Sequence, residues 1–390
     1  MLDLSPAAIL PADHAHATLV GRVWRPGLGP SLVTLRGDDV IDITSRLAPT
    51  VRDLAEQPDP AAVVAAAAGE RVGPVADILA NSDEDRRDPS RPWFLAPIDL
   101  QAVKAAGVTF VISLLERVIE EQARGAPEKA ASTRAAIDKI IGHDLRALEP
   151  GSPQALKVKE VLIERGVWSQ YLEVGIGTDA EIFTKGQPLS QVGPGAAVGL
   201  HPVSTWNNPE PEVVVVSNSK GRIVGATLGN DVNLRDVEGR SALLLGKAKD
   251  NNASGAIGPF VRLFDARFGL DDVKRAEVTL EVVGPDGFRL DGRSNMAEIA
   301  RSPEALVAAA IGRHHQYPDG FVLYLGTMFA PIEDRDAPGK GFTHKVGDVV
   351  RIATPTLGAL VNRVRLSTEA EPWTFGFADL MRNLAGRGLL

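Results

Sequence analysis

The spacing of apolar residues changes along this chain of 390 residues. Near the start, short apolar alternations at 21–24 and 31–43 are separated by glycine-rich turns, which is typical of β-strands. Further on, five apolar residues keep the i, i+3, i+4, i+7 spacing of one helix face: Val111, Leu114, Leu115, Val118 and Ile119. The pattern therefore predicts a β-rich beginning followed by a helical segment.

Helix signals continue to residue 166. Gly125 predicts the end of the first helix, and a second helix pair is predicted at 127–165. Its later member opens at Ser152-Pro153, an N-cap followed by proline at the first helical position, and ends at Gly166.

From Trp168 onward the period becomes two, which is the period of strands. Six strands are predicted, at 181–184, 212–217, 222–227, 276–283, 321–325 and 348–353. Helices are expected at about 258–267 and 303–313. Strands with scattered helices and no regular βαβ alternation indicate an α+β fold with a mixed or antiparallel sheet.

A charged, proline-bearing stretch at 81–92 suggests an exposed connector between two domains. We therefore expect a small β-rich N-terminal domain at 1–92 and a larger domain at 93–390. A chain of this length is consistent with two linked domains.

Composition narrows the classes of function. A net charge of −8 argues against a nucleic-acid surface, which needs basic residues to neutralise phosphate. No apolar run is long enough to cross a bilayer, so no membrane partner is expected. The N-terminus lacks the pattern of a secretory signal, and the absence of cysteine excludes disulfides and thiolate zinc sites. A cytoplasmic enzyme fits these bounds.

The candidate chemistry begins where two carboxylates enter a run of four valines, in Glu210-Pro-Glu212-Val-Val-Val-Val216. The two side chains could simply face water at a strand edge. A hairpin, however, would bring Asp231 back beside them, and carboxylates close together repel unless a cation or a shared proton compensates. Oxygen ligands without a nearby histidine or thiolate suit Mg²⁺, Mn²⁺ or Ca²⁺ better than zinc.

A lysine eighteen residues after Asp231 completes this group. Lys249 close to a bound cation could act as a base, and the neighbouring Lys247 is the alternative. Lys185, Asn251 and Asn295 could contact a polar substrate. His344 lies in a polar loop, where a surface position is expected.

These motifs together resemble the fumarylacetoacetate hydrolase superfamily. The resemblance covers roughly 96–365 and rests on an ordered set of segments: Ile182-Phe-Thr-Lys185, Gln191-Val-Gly-Pro-Gly195, Pro209-Glu-Pro-Glu212, Gly229-Asn-Asp-Val232, Arg235-Asp236, Lys249, Gly326-Thr327 and Gly347-Asp-Val-Val350 with Gly358. It implies a mixed β-sandwich roll as the C-terminal domain and a homodimer or homotetramer.

Within the superfamily, further segments are similar to the longer, sugar-acid branch: Leu95-Ala-Pro-Ile-Asp99, Ala105-Ala-Gly-Val-Thr-Phe110, Trp168-Ser-Gln-Tyr-Leu172, His315-Gln-Tyr-Pro-Asp-Gly-Phe321 and Pro372-Trp-Thr-Phe-Gly376. This similarity implies a hydro-lyase that converts 2-keto-3-deoxy-D-pentonate to 2,5-dioxopentanoate in oxidative pentose catabolism. The alternatives are a hydrolase or decarboxylase of an acyl-pyruvate, and a non-catalytic binding protein of the same fold.

The resemblance also implies roles for particular residues. Mg²⁺ would be held by Glu210, Glu212 and Asp231, with Lys249 beside it as the base. Thr327 would bind the carboxylate or keto group of the substrate, and Glu116 would occupy the acid/base position. Hydrolase members commonly carry a histidine three residues before that glutamate, to activate water. Here that position is Ser113, which fits a reaction without a water nucleophile.

Overall fold

The computed structural model describes residues 2–110, 114, 118–119, 121, 148–164, 166, 168–329, 331, 333–338 and 340–390. Their strands are β1 (Leu19–Arg25), β2 (Gly29–Arg36), β3 (Asp39–Asp42), β4 (Glu70–Pro74), β5 (Trp93–Leu95), β6 (Ala102–Gly107), β7 (Glu181–Gly186), β8 (Ala197–Leu200), β9 (Pro211–Ser217), β10 (Ile223–Asp231), β11 (Gly255–Leu263), β12 (Glu277–Val283), β13 (Arg289–Asn295), β14 (Phe321–Tyr324), β15 (Val349–Thr354) and β16 (Gly358–Leu366). Their α-helices span Pro6–Ile9, Val51–Ala55, Pro60–Ala66, Val75–Ala80, Pro153–Glu164, Gln170–Ile176, Arg235–Glu238, Leu245–Lys249, Leu270–Val273, Pro303–Ala310 and Phe377–Gly386.

The described strands form two sheets. The larger has the order β4-β3-β2-β1-β11-β10-β9-β14-β6-β7, with β5 paired to β1, and the smaller has the order β13-β12-β15-β16-β8. Most pairs are antiparallel, but β6 runs parallel to β14 and β8 runs parallel to β16. The predicted α+β class with a mixed sheet is confirmed.

The run of four valines in β9 shows how the two sheets share a core. Val213 and Val215 face a cluster that also contains residues of β12, β15 and β16, and so lies between the sheets. Val214 and Val216 face a second cluster on the opposite side of the larger sheet. Because successive side chains alternate in direction and both faces are covered, the strand is apolar throughout.

The six predicted strands are confirmed, with shifts of a few residues at their ends. The helix expected at about 258–267 is wrong, because 255–263 forms β11. This strand lies between β1 and β10 and is buried along its whole length. A strand covered on both faces lacks the alternation that separates strands from helices in a sequence.

The helix start at Ser152-Pro153 is confirmed, since the Ser152 hydroxyl accepts a hydrogen bond from the Ala155 N–H at 3.2 Å. The rest of the predicted 127–165 segment lies largely outside the described residues. None of the described helices combines the length and apolar character that a bilayer-spanning segment needs.

The strands of residues 19–74 join the same sheet as β9–β11, through the pairing of β1 with β11. The two segments predicted as domains therefore share one sheet. The boundary near residue 92 stays a prediction.

Candidate metal centre

Glu210 and Glu212 lie at the entry of β9. Pro211 is the first residue of that strand, a position that tolerates the missing N–H of proline. β10 returns antiparallel to β9, so that Glu212 lies opposite Gly229 and the Asp231 N–H donates to the Glu210 carbonyl at 3.0 Å. The β9–β10 hairpin thus brings Asp231 beside both glutamates.

The three carboxylates form a compact and buried group. One oxygen from each of Glu210, Glu212 and Asp231 lies within 4.8 Å of the other two. Their exposed fractions are 2%, 1% and 1%. Solvation by bulk water therefore cannot compensate these charges, in contrast to carboxylates at an exposed strand edge.

Lys249 reaches this group from the last turn of the helix Leu245–Lys249. Its Nζ lies 2.5 Å from Glu210 Oε2 and 3.1 Å from Asp231 Oδ2. It also lies 5.8 Å from the centre of the Phe183 ring, within range of a cation–π contact. Lys247, the alternative left open by the sequence, is exposed. Lys249 is therefore the lysine that the fold brings to the carboxylates.

Lys185, a predicted substrate contact on β7, lies behind Asp231 and is fully buried. Its Nζ is 3.1 Å from Asp231 Oδ1 and donates to the Ser254 carbonyl at 2.8 Å and to the Lys249 carbonyl. These contacts tie Asp231 to the chain segment that carries Lys249.

The electrostatics of the group favour a cation. Burial and the negative charge of Asp231 raise the pKa of Glu212 well above its usual range. Burial also acts to raise the pKa of Asp231, but Lys249 and Lys185 outweigh it and the pKa is lowered. Burial lowers the pKa of Lys185. The pKa of Glu212 is thus raised and that of Asp231 lowered, which indicates that the two carboxylates repel each other. A divalent cation between them would remove that repulsion.

The three carboxylates and Lys249 line one cavity of about 20 Å³, room for roughly one water-sized sphere. The other described lining residues are Ala106, Gly107, Val108, Glu181, Phe183, Glu238 and Thr327. The predicted substrate contact Thr327 thus belongs to the same cavity as the carboxylates and Lys249.

A glycine positions Thr327. The Gly326 N–H donates to Glu212 Oε2 at 2.7 Å, with Gly326 at a φ of +102°. A Cβ at this position would lie 1.8 Å from Thr109 Oγ1. Only glycine combines this backbone conformation with this close approach, which explains the Gly326-Thr327 pair.

The other predicted site residues lie elsewhere. Asn251 donates to the Lys247 carbonyl at 2.9 Å, and Asn295 accepts the Ala297 N–H at 2.8 Å. Neither is among the described residues that line the cavity. Glu116 and Ser113 lie outside the described residues.

Glu238 was not singled out from the sequence. It is buried, lines the cavity, and its Oε2 lies 4.0 Å from Lys249 Nζ. Glu181, on β7, is a further lining carboxylate. Little in the sequence indicates that Glu238 belongs to the site. A glutamate three residues after an arginine, here Arg235, is also common on solvent-exposed faces of helices.

The interpretation of His344 as a surface residue is wrong, because its side chain is fully buried. Its Nδ1 lies 2.9 Å from Asp348 Oδ2, and its backbone N–H donates to Asn207 Oδ1 at 3.2 Å. The polar loop predicted around it folds inward through these bonds.

The donor set fits a hard divalent cation. Three carboxylates offer oxygen ligands only, the chemistry that Mg²⁺, Mn²⁺ and Ca²⁺ prefer. In such a site Glu210, Glu212 and Asp231 would be the protein ligands, and Lys249 would lie directly beside them.

Residues 176–365 match the protein family described as fumarylacetoacetate (FAA) hydrolase C-terminal. Over this segment the chain is similar to the fumarylacetoacetate hydrolase family. The matched segment contains the three carboxylates, Lys249 and Thr327, and it confirms the resemblance drawn from the motifs.

Two curated relatives are similar over part of their length. A probable 2-keto-3-deoxyxylonate dehydratase of Haloferax volcanii is 32% identical over 201 residues, 52% of this chain and 65% of that protein. A 2-dehydro-3-deoxy-D-arabinonate dehydratase of Saccharolobus solfataricus is 32% identical over 185 residues, 47% of this chain and 58% of that protein. The matches span less than two thirds of either relative.

Among solved structures, the fold is similar to that of a 2-keto-3-deoxy-D-arabinonate dehydratase complexed with magnesium and 2,5-dioxopentanoate. The TM-score is 0.61 at 22% identity, over 89% of this chain and 99% of that chain. The similarity of fold therefore extends well beyond the segment that defines the family.

Proposed function

We propose that this chain is a Mg²⁺-dependent hydro-lyase that converts 2-keto-3-deoxy-D-pentonate to 2,5-dioxopentanoate. The observation that carries the proposal is the buried carboxylate group with Lys249 at one cavity. The names of the two relatives support the substrate class, since one is named a probable dehydratase and the other a dehydratase of a 2-keto-3-deoxy pentonic acid. The solved structure with magnesium and 2,5-dioxopentanoate supports the choice of cation and product.

The cation would be held by Glu210, Glu212 and Asp231. When bound, it would supply Lewis-acid polarisation of the C2 carbonyl of the substrate, which makes a C3 proton more acidic. Lys249, placed beside the carboxylates by the helix Leu245–Lys249, would remove that proton as general base. Thr327 would bind the substrate carboxylate or keto group from the same cavity.

The elimination then balances as follows. Lys249 accepts the C3 proton, the C–H electron pair forms the C3–C4 double bond, and the C4 hydroxyl leaves as water with a proton from an acid. We assign the acid to Glu116, by its position in the family motif. Transfer of a proton from C5 to C3 then moves the double bond to C4–C5 and yields the enol of an aldehyde, which tautomerises to 2,5-dioxopentanoate.

The decisive experiment uses purified protein freed of metal with EDTA and then supplied with Mg²⁺. Incubation with 2-keto-3-deoxy-D-pentonate should form 2,5-dioxopentanoate, followed by NMR, only when Mg²⁺ is present. A parallel incubation with an acyl-pyruvate should leave the compound intact. Turnover of the acyl-pyruvate alone would replace the proposal by a hydrolase or decarboxylase, and turnover of neither would leave a binding protein.

Two further expectations belong to this proposal. We place the enzyme in the cytoplasm and expect a homodimer or homotetramer, as the family resemblance implies. Light scattering coupled to size-exclusion chromatography would give the mass of the assembly, and a monomeric mass would contradict the expectation.

A further inference from the structure

Lys249 contacts more carboxylates than a base needs. Its Nζ lies 2.5 Å from Glu210 Oε2, 3.1 Å from Asp231 Oδ2 and 4.0 Å from Glu238 Oε2. The first two residues belong to the proposed cation ligands, whereas Glu238 does not. The Lys249 ammonium is therefore close to two carboxylates that would bind the cation, Glu210 and Asp231, and to one that would not, Glu238.

A divalent cation and the Lys249 ammonium compete for the same oxygens. Two positive charges a few ångströms apart in a buried site repel strongly, because the low effective dielectric weakens screening. A cation held by Glu210, Glu212 and Asp231 would therefore weaken the bonds from Lys249 to Glu210 and Asp231. The ammonium then needs another partner on the cavity.

Glu238 is held in a suitable place to be that partner. Its short helix, Arg235–Glu238, is fixed by Asp236, which accepts hydrogen bonds from Ser204 Oγ at 2.7 Å and from the Thr205 N–H at 2.9 Å. Arg235 on the same helix donates to the Pro331 carbonyl at 3.0 Å. The lysine, with its four-carbon stem, is the member of the pair that can adjust its position.

We propose that Glu238 is a positioning residue that receives the Lys249 ammonium when the cation occupies the three ligand carboxylates. The inference rests on the cation site of the proposed function and adds a residue to it. Before turnover, Glu238 thereby removes Lys249 from competition with the cation and keeps its Nζ at the cavity. The ammonium proton passes to Glu238 before Lys249 acts as the base of the proposed function. Without Glu238, Lys249 remains on Glu210 and Asp231 and opposes cation binding.

A double-mutant cycle read by Mg²⁺ affinity tests this role without any substrate. Mg²⁺ is titrated calorimetrically at one pH into the wild type, Glu238→Gln, Lys249→Met and the double variant. We expect Glu238→Gln to weaken Mg²⁺ binding about tenfold, the size of a typical coupling between contacting groups. Lys249→Met should tighten binding, and adding Glu238→Gln to it should change the affinity no further.

Simple loss of a nearby negative charge predicts a different result. In that case Glu238→Gln weakens Mg²⁺ binding equally with and without Lys249, and the proposal is overturned. An unchanged affinity of Glu238→Gln also overturns it. The exposed Glu298→Gln serves as the matched control and should bind Mg²⁺ as the wild type does.

The cycle also separates this inference from the proposed function. If the wild type binds no Mg²⁺, the cation site itself is refuted. If the wild type binds Mg²⁺ and the two substitutions act additively, only the role of Glu238 is refuted. Thermal unfolding checks each variant for folding, and Lys249→Gln replaces Lys249→Met if the latter does not fold.

Discussion

Two buried groups of charged residues in this protein differ in how their negative charge is balanced. The cation site consists of Glu210, Glu212 and Asp231 with Lys249 and Lys185. The other group, here called the arginine cluster, consists of Arg335, His344 and Asp348, with the partly exposed Asp286 at its edge. Arg335 donates to both oxygens of Asp348 at 2.7 Å and to Asp286 Oδ1 at 2.9 Å, and His344 Nδ1 lies 2.9 Å from Asp348 Oδ2.

The difference lies in how the negative charge is balanced. Burial acts to raise the pKa of Asp348, but its bonds to Arg335 and His344 outweigh burial and lower it. At the cation site the pKa of Glu212 is instead raised well above its usual range. The arginine cluster is thus compensated within the chain by bidentate bonds, whereas the cation site keeps an excess of negative charge at a cavity. Burial of charge alone does not indicate function, but an excess of one sign at a cavity does.

The largest expected effect is on turnover. Lys249→Met should lower kcat on 2-keto-3-deoxy-D-pentonate about 10³-fold, because the general base is lost. Mg²⁺ binding should persist, since the three carboxylates remain. Steady-state kinetics and calorimetry check this, with the exposed Lys247→Met as the control. Near-normal kcat would show that Lys249 is not the base.

At the arginine cluster the effect should fall on stability. Arg335→Met leaves Asp348 buried without its bidentate partner and should lower the free energy of unfolding by about 3 kcal/mol. Urea denaturation measures it. Mg²⁺ affinity of the folded variant should stay unchanged, and the exposed Arg313→Met should unfold as the wild type does. A variant as stable as the wild type would mean that the cluster does not stabilise the fold.

Glu212→Gln should have the opposite effect to Arg335→Met: it should lower Mg²⁺ affinity and leave stability intact. Mg²⁺ affinity should fall about 100-fold, as one charged ligand is lost. The metal-free protein should be at least as stable as the wild type, because repulsion between buried carboxylates is relieved. Calorimetry and urea denaturation without Mg²⁺ test both parts. A clear loss of stability would show that Glu212, like Asp348, stabilises the fold, and would contradict the difference between the cation site and the arginine cluster.

The smallest effect concerns pH. Burial lowers the pKa of His344 below 6.5 in the folded protein, so the unfolded chain takes up the proton first as pH falls. The contribution of neutral His344 to the free energy of unfolding is therefore complete above pH 6.5. Below that pH it decreases, by at most about 1.4 kcal/mol per pH unit. Urea midpoints between pH 7.5 and about 5 should fall less steeply for His344→Asn than for the wild type. Parallel curves would contradict the sign of this shift.

Much of the cation site follows from local sequence. Glu212 and Asp231 lie on the paired strands of one hairpin and Glu210 directly precedes the first of them, so the pairing brings the three together without help from distant residues. The valine run and the turns around it predict that hairpin directly. The ordered motifs likewise predict the family and the mixed sheet.

Only the tertiary structure decided the rest. Lys247 and Lys249 are equivalent in sequence, but packing buries Lys249 against the carboxylates and leaves Lys247 in water. Lys185 and Glu238 take their places through contacts with chain segments 64 and 11 residues away in sequence, respectively. β11 is a strand because β1 and β10 cover its edges, and His344 is buried because Asp348 and Asn207 bond to it. Short-range patterns predict paired strands, whereas burial and the partners of a charge depend on which distant segments pack together.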